Sequence, residues 1–445
     1  MVPFIGHIID MVRYKKNYFQ RLRDQCQLPI VTLQLVSLKV YAVFSLPAIQ
    51  SIQKQNESFA FEPIQAWLSS KAMVNMGLSL VPYIVQSMTT IKLNEWLRHH
   101  ITLVTTDTVY GPHNPFQSKE VESAFWAFEQ AIPRLLFLPQ WFSRAGIRNR
   151  KIVADAFQHY FLNGHHESAS AMVKDFYAVE CSYGFSLSDR SLFEVGNVIA
   201  SLANTYAAVF WLLFYVFSSP SALQRIRHEV SSIITTSVDT LCGKQTTQHI
   251  LDMTKVTSHC PFLVSTFKET IRLHSVDISL RQVCKDTVLD NTYCLKKGAM
   301  IIMPTISIHT DSKIWGSDAL SFNYDRFLFA KSSATQKEKV SAAAFRSFGG
   351  GRTLCPGRHF ATTQIMVWIS MLVMRFDIEP TSGCWVKPTA DKSNMANVLM
   401  GVDHDIDVQF APRDFYNDGI WDVRMANSKA ILSLAVEDLA DDQKP

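Results

Sequence analysis

Phe348-Gly349-Gly350-Gly351-Arg352-Thr353-Leu354-Cys355-Pro356-Gly357-Arg358 is the stretch on which the reading of this 445-residue chain turns. It is a glycine-rich loop that presents a cysteine at the mouth of a helix. Backbone N–H groups from such a turn, together with a following helix N-terminus, lower a thiol's pKa and favour the thiolate, the form that ligates a metal. Pro356 suits the first helical turn, where its missing N–H would have no partner anyway. The glycines allow φ > 0, or an approach to a flat macrocycle too close for a Cβ. Phe348 is placed to pack over the sulfur and limit water. For Cys355 taken alone, a small buried hydrophobe is the alternative.

Taken whole, Phe348, Gly351, Cys355 and the following Pro356-Gly357 resemble the haem-binding loop of the cytochrome P-450 family. The resemblance implies a mainly α fold with small β-sheets in a single large domain. It also implies haem as cofactor, Cys355 as axial thiolate and metal ligand, and Phe348, Gly351, Arg352 and Gly357 as cofactor-binding residues. Where this chain has Thr353, many members carry an Arg or His that pairs with a haem propionate; Arg352 is the neighbouring basic group.

At 47% hydrophobic and 18% charged residues, the chain is an ordered globular protein with a large core. Its length alone suggests about three domains. No Pro/Gly/Ser-rich linker, repeat or low-complexity tract divides it, so we expect one oxygenase domain over residues 1–413 and an extension over 414–445. The eight cysteines lack C-x-x-C spacing, which argues against a zinc site or a disulfide framework and for a reducing compartment. A formal charge of +4 without long basic runs does not point to nucleic acid. Arg346, Arg352, Arg358, His359 and Arg375, with Lys331, Lys337 and Lys339, would steer an acidic electron donor if exposed together. Ordinary solvated charge is the other reading.

Residues 9–25 read as an amphipathic helix, and 30–35 and 40–44 alternate as strands. The apolar region from Trp67 to Trp96 is too interrupted to span a membrane. Glu95-Trp96-Leu97-Arg98 runs almost directly into Tyr110-Gly111-Pro112-His113-Asn114-Pro115-Phe116, which resembles a later family element, so the N-terminal part is expected to be shortened between about 55 and 95. Met1-Val2-Pro3-Phe4-Ile5-Gly6-His7 resembles the segment after a membrane anchor. The anchor itself is expected to be absent, with endoplasmic reticulum localisation by family analogy. Val195 to Phe217 is the most membrane-like run, yet Asn197, Ser201, Asn204 and Thr205 interrupt it and Ser218-Ser219-Pro220 ends it. A long buried central helix is the expectation.

Within that helix the resemblance aligns Ala203 with an acid and Asn204 with a threonine beside the oxygen site, leaving Thr205 one position on; Asn204 and Thr205 are the candidate catalytic residues. Asparagine hydrogen-bonds but does not titrate near neutral pH. Ala203-Asn204-Thr205 followed by Phe210-Trp211 resembles the branch with sterol 7α-hydroxylases and prostacyclin synthase. A polar notch that helps helices pack remains the alternative.

Glu269 and Arg272 share a helical face, and Phe322-Asn323-Tyr324-Asp325-Arg326-Phe327 resembles the family's Pro-Glu-Arg-Phe element. Glu269, Arg272 and Arg326 are then a buried charge triad. Arg281, in the predicted strand 279–283, resembles a propionate-pairing position; a strand-edge charge is the alternative. Further strands are expected at 290–294 and 297–302, and His309, Trp315 and Phe322 resemble scaffold. His99-His100 and His165-His166 are adjacent pairs that cannot both face one metal ion. Phe360 to Met374 continues as helix, Trp385 to Arg413 resembles the closing hairpin, and the acidic end Glu437-Asp438-Leu439-Ala440-Asp441-Asp442 reads as a solvated tail.

The implied activity is a haem-thiolate monooxygenase acting on a lipophilic substrate, such as a sterol, terpenoid or other secondary metabolite, with dioxygen. Electrons would come from a separate NADPH-dependent flavoprotein reductase, since no flavin or nicotinamide motif occurs. Two readings stay open beside it. One is a haem-thiolate isomerase or dehydratase, suggested by Ala203; the other is a haem-free remnant, suggested by the shortened region.

Overall fold

The computed structural model describes residues 6–14, 17–35, 38–54, 59–60, 89–137, 140–241, 244–328, 342–350, 354–394, 396–414 and 419–425. Its axis is the helix pair Leu187–Leu202 and Thr205–Phe217. Ser186 begins the pair with a capping box, its hydroxyl accepting the Asp189 N–H while the Asp189 carboxylate accepts the Ser186 N–H. Every residue of Thr205–Phe217 except Tyr206 is buried, and Ser219 caps the next helix, Pro220–Ser231. Leu187–Phe217 is long and apolar enough to cross a membrane, but 72% of its most apolar window lies inside the protein, so its hydropathy is that of a core helix. It packs against Leu93–Tyr110, Pro261–His274 and Arg358–Arg375.

A five-stranded sheet runs in the order Ile30–Leu35, Leu38–Val43, Met300–Pro304, Ile278–Val283, Phe59–Ala60. Along Ile278–Val283, Ser279, Arg281 and Val283 are buried while Leu280 is exposed, so the two-residue period turns Arg281 inward.

The structure departs from the sequence expectations at several elements. Residues 9–25 divide into two helices, Gly6–Tyr14 and Asn17–Cys26. Asp290 and Asn291 form the turn of a hairpin between Thr287–Leu289 and Tyr293–Leu295, with φ of 49° and 53°, rather than the start of a strand. Two consecutive positive φ values match the right-handed twist of the flanking strands, and Asp and Asn tolerate them. Asp407–Pro412 pairs with Phe376–Pro380 and Thr89–Lys92, so the expected closing hairpin has its partner strand before Trp385. The intervening loop is held by the Asp403 carboxylate, which accepts from Thr389, Asp391 and Lys392.

A third sheet joins Ile234–Leu241, Lys244–Asp252 and Ile420–Arg424. Packing therefore continues past residue 413. Trp421 is buried at 4.9 Å from the His249 ring, and Gly419, with φ of 110°, lies where a Cβ would come within 2.5 Å of the Thr247 carbonyl oxygen. The run Ile420-Trp421-Asp422-Val423-Arg424, with Trp421 and Val423 two apart around Asp422, was the available signal. The acidic stretch 437–442 and Trp67 lie outside the described residues.

Candidate active site around Cys355

The site is built on the Pro261–His274 helix. Arg272 Nε and Nη2 donate to the two Glu269 oxygens at 2.7 and 2.8 Å, and Arg326 Nε lies 3.0 Å from both. The Asn323 N–H donates to Glu269 Oε1 at 3.1 Å, while Arg272 Nη1 donates to the His309 and Ala319 carbonyls. Glu269 and Arg272 are fully buried, so each charge depends on the other for what water would supply. Arg326 extends the network outward to Asp318 at 3.0 Å.

His309 carries this scaffold to the cysteine loop. Its Nδ1–H donates to the Arg272 carbonyl at 2.9 Å, and Nε2 accepts the Arg346 N–H at 2.8 Å. Burial beside Arg272 and Arg346 pushes its pKa down to about 3, so it stays neutral and one tautomer serves both bonds.

The loop then turns at Gly349, φ 86°, and the Cys355 N–H donates to the Phe348 carbonyl at 2.8 Å. Phe348 packs against the core. Arg358–Arg375 begins two residues later than Pro356, with Gly357 as its N-cap. The Gly357 and Arg358 amides, with the Arg358 charge, pull the Cys355 thiol pKa down, but burial pushes harder and the net direction is up. A bound metal ion's own charge would act in the same direction as these amides, toward the thiolate. Gly351, Arg352 and Thr353 lie outside the described residues.

Arg281 is buried, with Nη1 on the Leu280 carbonyl at 2.7 Å. The charge of Asp277 reaches Arg281, Arg346 and Cys355. Sequence reasoning missed Asp277. It also took Arg346 and Arg375 for surface charge, but they are 1% and 7% exposed and add nothing to a basic outer face. Arg375 stacks over Phe376 and Trp421, and Lys331, Lys337 and Lys339 lie outside the described residues. The signal for Arg346 was a lone cation after Ala342-Ala343-Ala344-Phe345.

The central helix breaks between Leu202 and Thr205. Asn204 Oδ1 accepts from the Val398 and Leu399 N–H groups at 2.9 and 3.1 Å, and the Thr205 hydroxyl donates to the Ser201 carbonyl at 2.9 Å. Side chains that bond the backbone in this way are a usual cause of a helix bend. The same 394–400 turn is fastened by the buried Glu129, which accepts from Asn394 and Asn397 at 2.8 and 2.7 Å, and by Trp211 Nε1, which donates to the Met400 carbonyl at 2.7 Å. Glu129 and its asparagines gave no sequence signal, because they come from segments far apart in the chain.

These residues fit haem. The half-buried Cys355 sulfur receives two backbone amides, a positive-φ glycine precedes it, and Asp277, whose charge reaches it, is also reached by the buried Arg281 and Arg346. The comparisons with known proteins agree. Residues 117–402 match the family described as Cytochrome P450. The chain is 31% identical over 480 residues to the cytochrome P450 monooxygenase nodJ of Hypoxylon pulicicidum, covering 98% of this chain and 93% of that one. The alignment is longer than this chain and so opens gaps in it. A cytochrome P450 monooxygenase of Gibberella zeae is 26% identical over 432 residues, 86% of this chain and 81% of its own. Cholesterol 7-alpha-monooxygenase of Cricetulus griseus is 26% identical over 296 residues, 65% and 58%. With its cysteine loop and this breadth of similarity, the chain belongs to the cytochrome P450 family of haem-thiolate monooxygenases.

Proposed function

We propose that Cys355 is the axial thiolate and that the enzyme oxidises a C–H bond of a lipophilic substrate, with electrons delivered by an NADPH-dependent flavoprotein reductase. The observation that carries this is the Cys355 sulfur, half-buried before the Arg358–Arg375 helix with the Gly357 and Arg358 amides turned to it. Haem supplies the one-electron and oxygen chemistry when bound. Arg281 receives a haem carboxylate, with Gly351, Arg352 and Gly357 shaping the loop. Asn204, its oxygen engaged by the 398–399 backbone, keeps its Nδ2 donor for orienting dioxygen or water. Thr205, whose proton is given to Ser201, keeps an accepting lone pair. Relatives named cholesterol 7-alpha-monooxygenase and 5-beta-cholestane-3-alpha,7-alpha-diol 12-alpha-hydroxylase support a sterol, terpenoid or similar polycyclic substrate, and peripheral association with the endoplasmic reticulum membrane accords with it.

The test is the carbon monoxide difference spectrum of the reduced protein. A strongly red-shifted Soret band is expected, and Cys355→Ser should abolish it. Folded protein without haem would support the inactive remnant instead. Ala203 and the engaged Asn204 favour a second reading, an isomerase or dehydratase acting on a peroxide. Product formed without reductase would establish that one.

A further inference from the structure

We propose that Arg346 is a second receiving group for the haem carboxylates, working beside Arg281; the inference rests on the haem reading above. Arg346 lies nine positions before Cys355, and its main chain is fixed at both polar groups. Its N–H donates to His309 Nε2 at 2.8 Å, and its carbonyl accepts the Gly349 N–H at 3.0 Å. The side chain is therefore aimed by the scaffold and not by solvent. Its Nη2 donates to Ser279 Oγ at 3.3 Å, and Ser279 donates to Asp277 Oδ2 at 3.3 Å.

Ser279 and Arg281 share the inward face of one strand, so the two guanidiniums converge on one wall. Both are almost wholly buried. A guanidinium keeps its charge on burial and matches a carboxylate with parallel hydrogen bonds. Asp277, the carboxylate between them, is a weak counter-ion, because burial raises its pKa against the pull of Arg346 and Arg281. Ferric haem with both carboxylates ionised and one thiolate ligand is doubly anionic, which suits a wall with two fixed cations. Burial also removes Arg346 from any surface that an electron donor could touch.

The experiment compares wild type, Arg346→Gln and Arg346→Lys for the rate of haem transfer to excess apomyoglobin, loaded either with protohaem or with its dimethyl ester. Wild type should release protohaem slowest, Arg346→Gln about tenfold faster and Arg346→Lys in between. The ester, lacking free carboxylates, should leave all three at the same rate. The midpoint potential of bound protohaem should fall in Arg346→Gln, since a nearby positive charge favours the added electron. Equal protohaem release by wild type and variants overturns the proposal. So does an equal variant effect with the ester, which would mean that Arg346 only braces the loop through Asp277. Should Arg346→Gln fail to fold, Arg346→Lys carries the same comparison. A wild-type chain that takes up no haem overturns the haem reading and this inference together.

Discussion

The Pro261–His274 helix and the central helix bury their acids beside different partners. Glu269, fully buried, is met by two guanidiniums and a backbone amide. Glu194, 2% exposed in the central helix, accepts from the Tyr110 hydroxyl at 2.7 Å and from the Asn197 side chain, and burial pushes its carboxyl up to about 7. Glu129 in the helix Lys119–Phe137 is likewise raised by burial, against the pull of two asparagine amides. The same residue type is thus paired with guanidiniums in one half, while in the other it meets only hydroxyl and amide groups and burial biases it toward the neutral acid. The guanidiniums are the difference, because an opposite charge returns much of the solvation that a buried anion loses.

Removing the partner on the ionic side should have the largest effect. Arg272→Lys loses the paired Nε and Nη2 bonds to Glu269 and the fork that reaches His309 and Ala319. An imperfectly paired buried charge costs about 3–5 kcal/mol, so the variant should retain no haem. The haem-to-protein ratio after purification checks this, and full occupancy would show that the network does not hold the loop. On the neutral side the probe is pH. Glu194 has a raised folded pKa, so its contribution to stability is complete below about 4.5 and is lost as pH rises through about 7. The loss amounts to roughly 3 kcal/mol. Melting temperature should fall over that interval, and Glu194→Gln should flatten the fall; an unchanged profile would mean that burial does not hold Glu194 neutral. The smallest effect is expected at Asn204. Asn204→Ala leaves the Val398 and Leu399 amides without their acceptor, about 1–3 kcal/mol. Asn204→Asp keeps the acceptor and should restore stability while making turnover pH-dependent. If Asn204→Ala binds haem with product and electron coupling unaltered, Asn204 has no part at the oxygen site.

The two halves also differed in how far they could be read in advance. Glu269, Arg272, Arg326 and Cys355 stood out because local spacing reports them: an i, i+3 pair on one helix face, and a glycine loop leading into a helix. The central helix was legible from its apolar run, yet the engagement of Asn204 was not. Its partners lie at 398–399, and nothing in the sequence near 204 announces them. The strand Ile420–Arg424 was missed for the same reason, since its partner Lys244–Asp252 lies far back in the chain. Arg346 and Arg375 were misjudged because charge is read as exposure unless a fold supplies the burial.

By itself the sequence determined the family, the loop that carries Cys355, and which acid and base share a helix turn. Those properties are written in spacings of a few residues, where backbone geometry fixes who meets whom. Only the tertiary structure decided that His309 stays neutral between Arg272 and Arg346, that Glu129 and Asn204 fasten one turn from two helices, and that Arg346 faces inward beside Arg281. Solvation decides charge state and direction at each of these sites, and a group's solvation is set by neighbours that the chain brings from tens to hundreds of residues away.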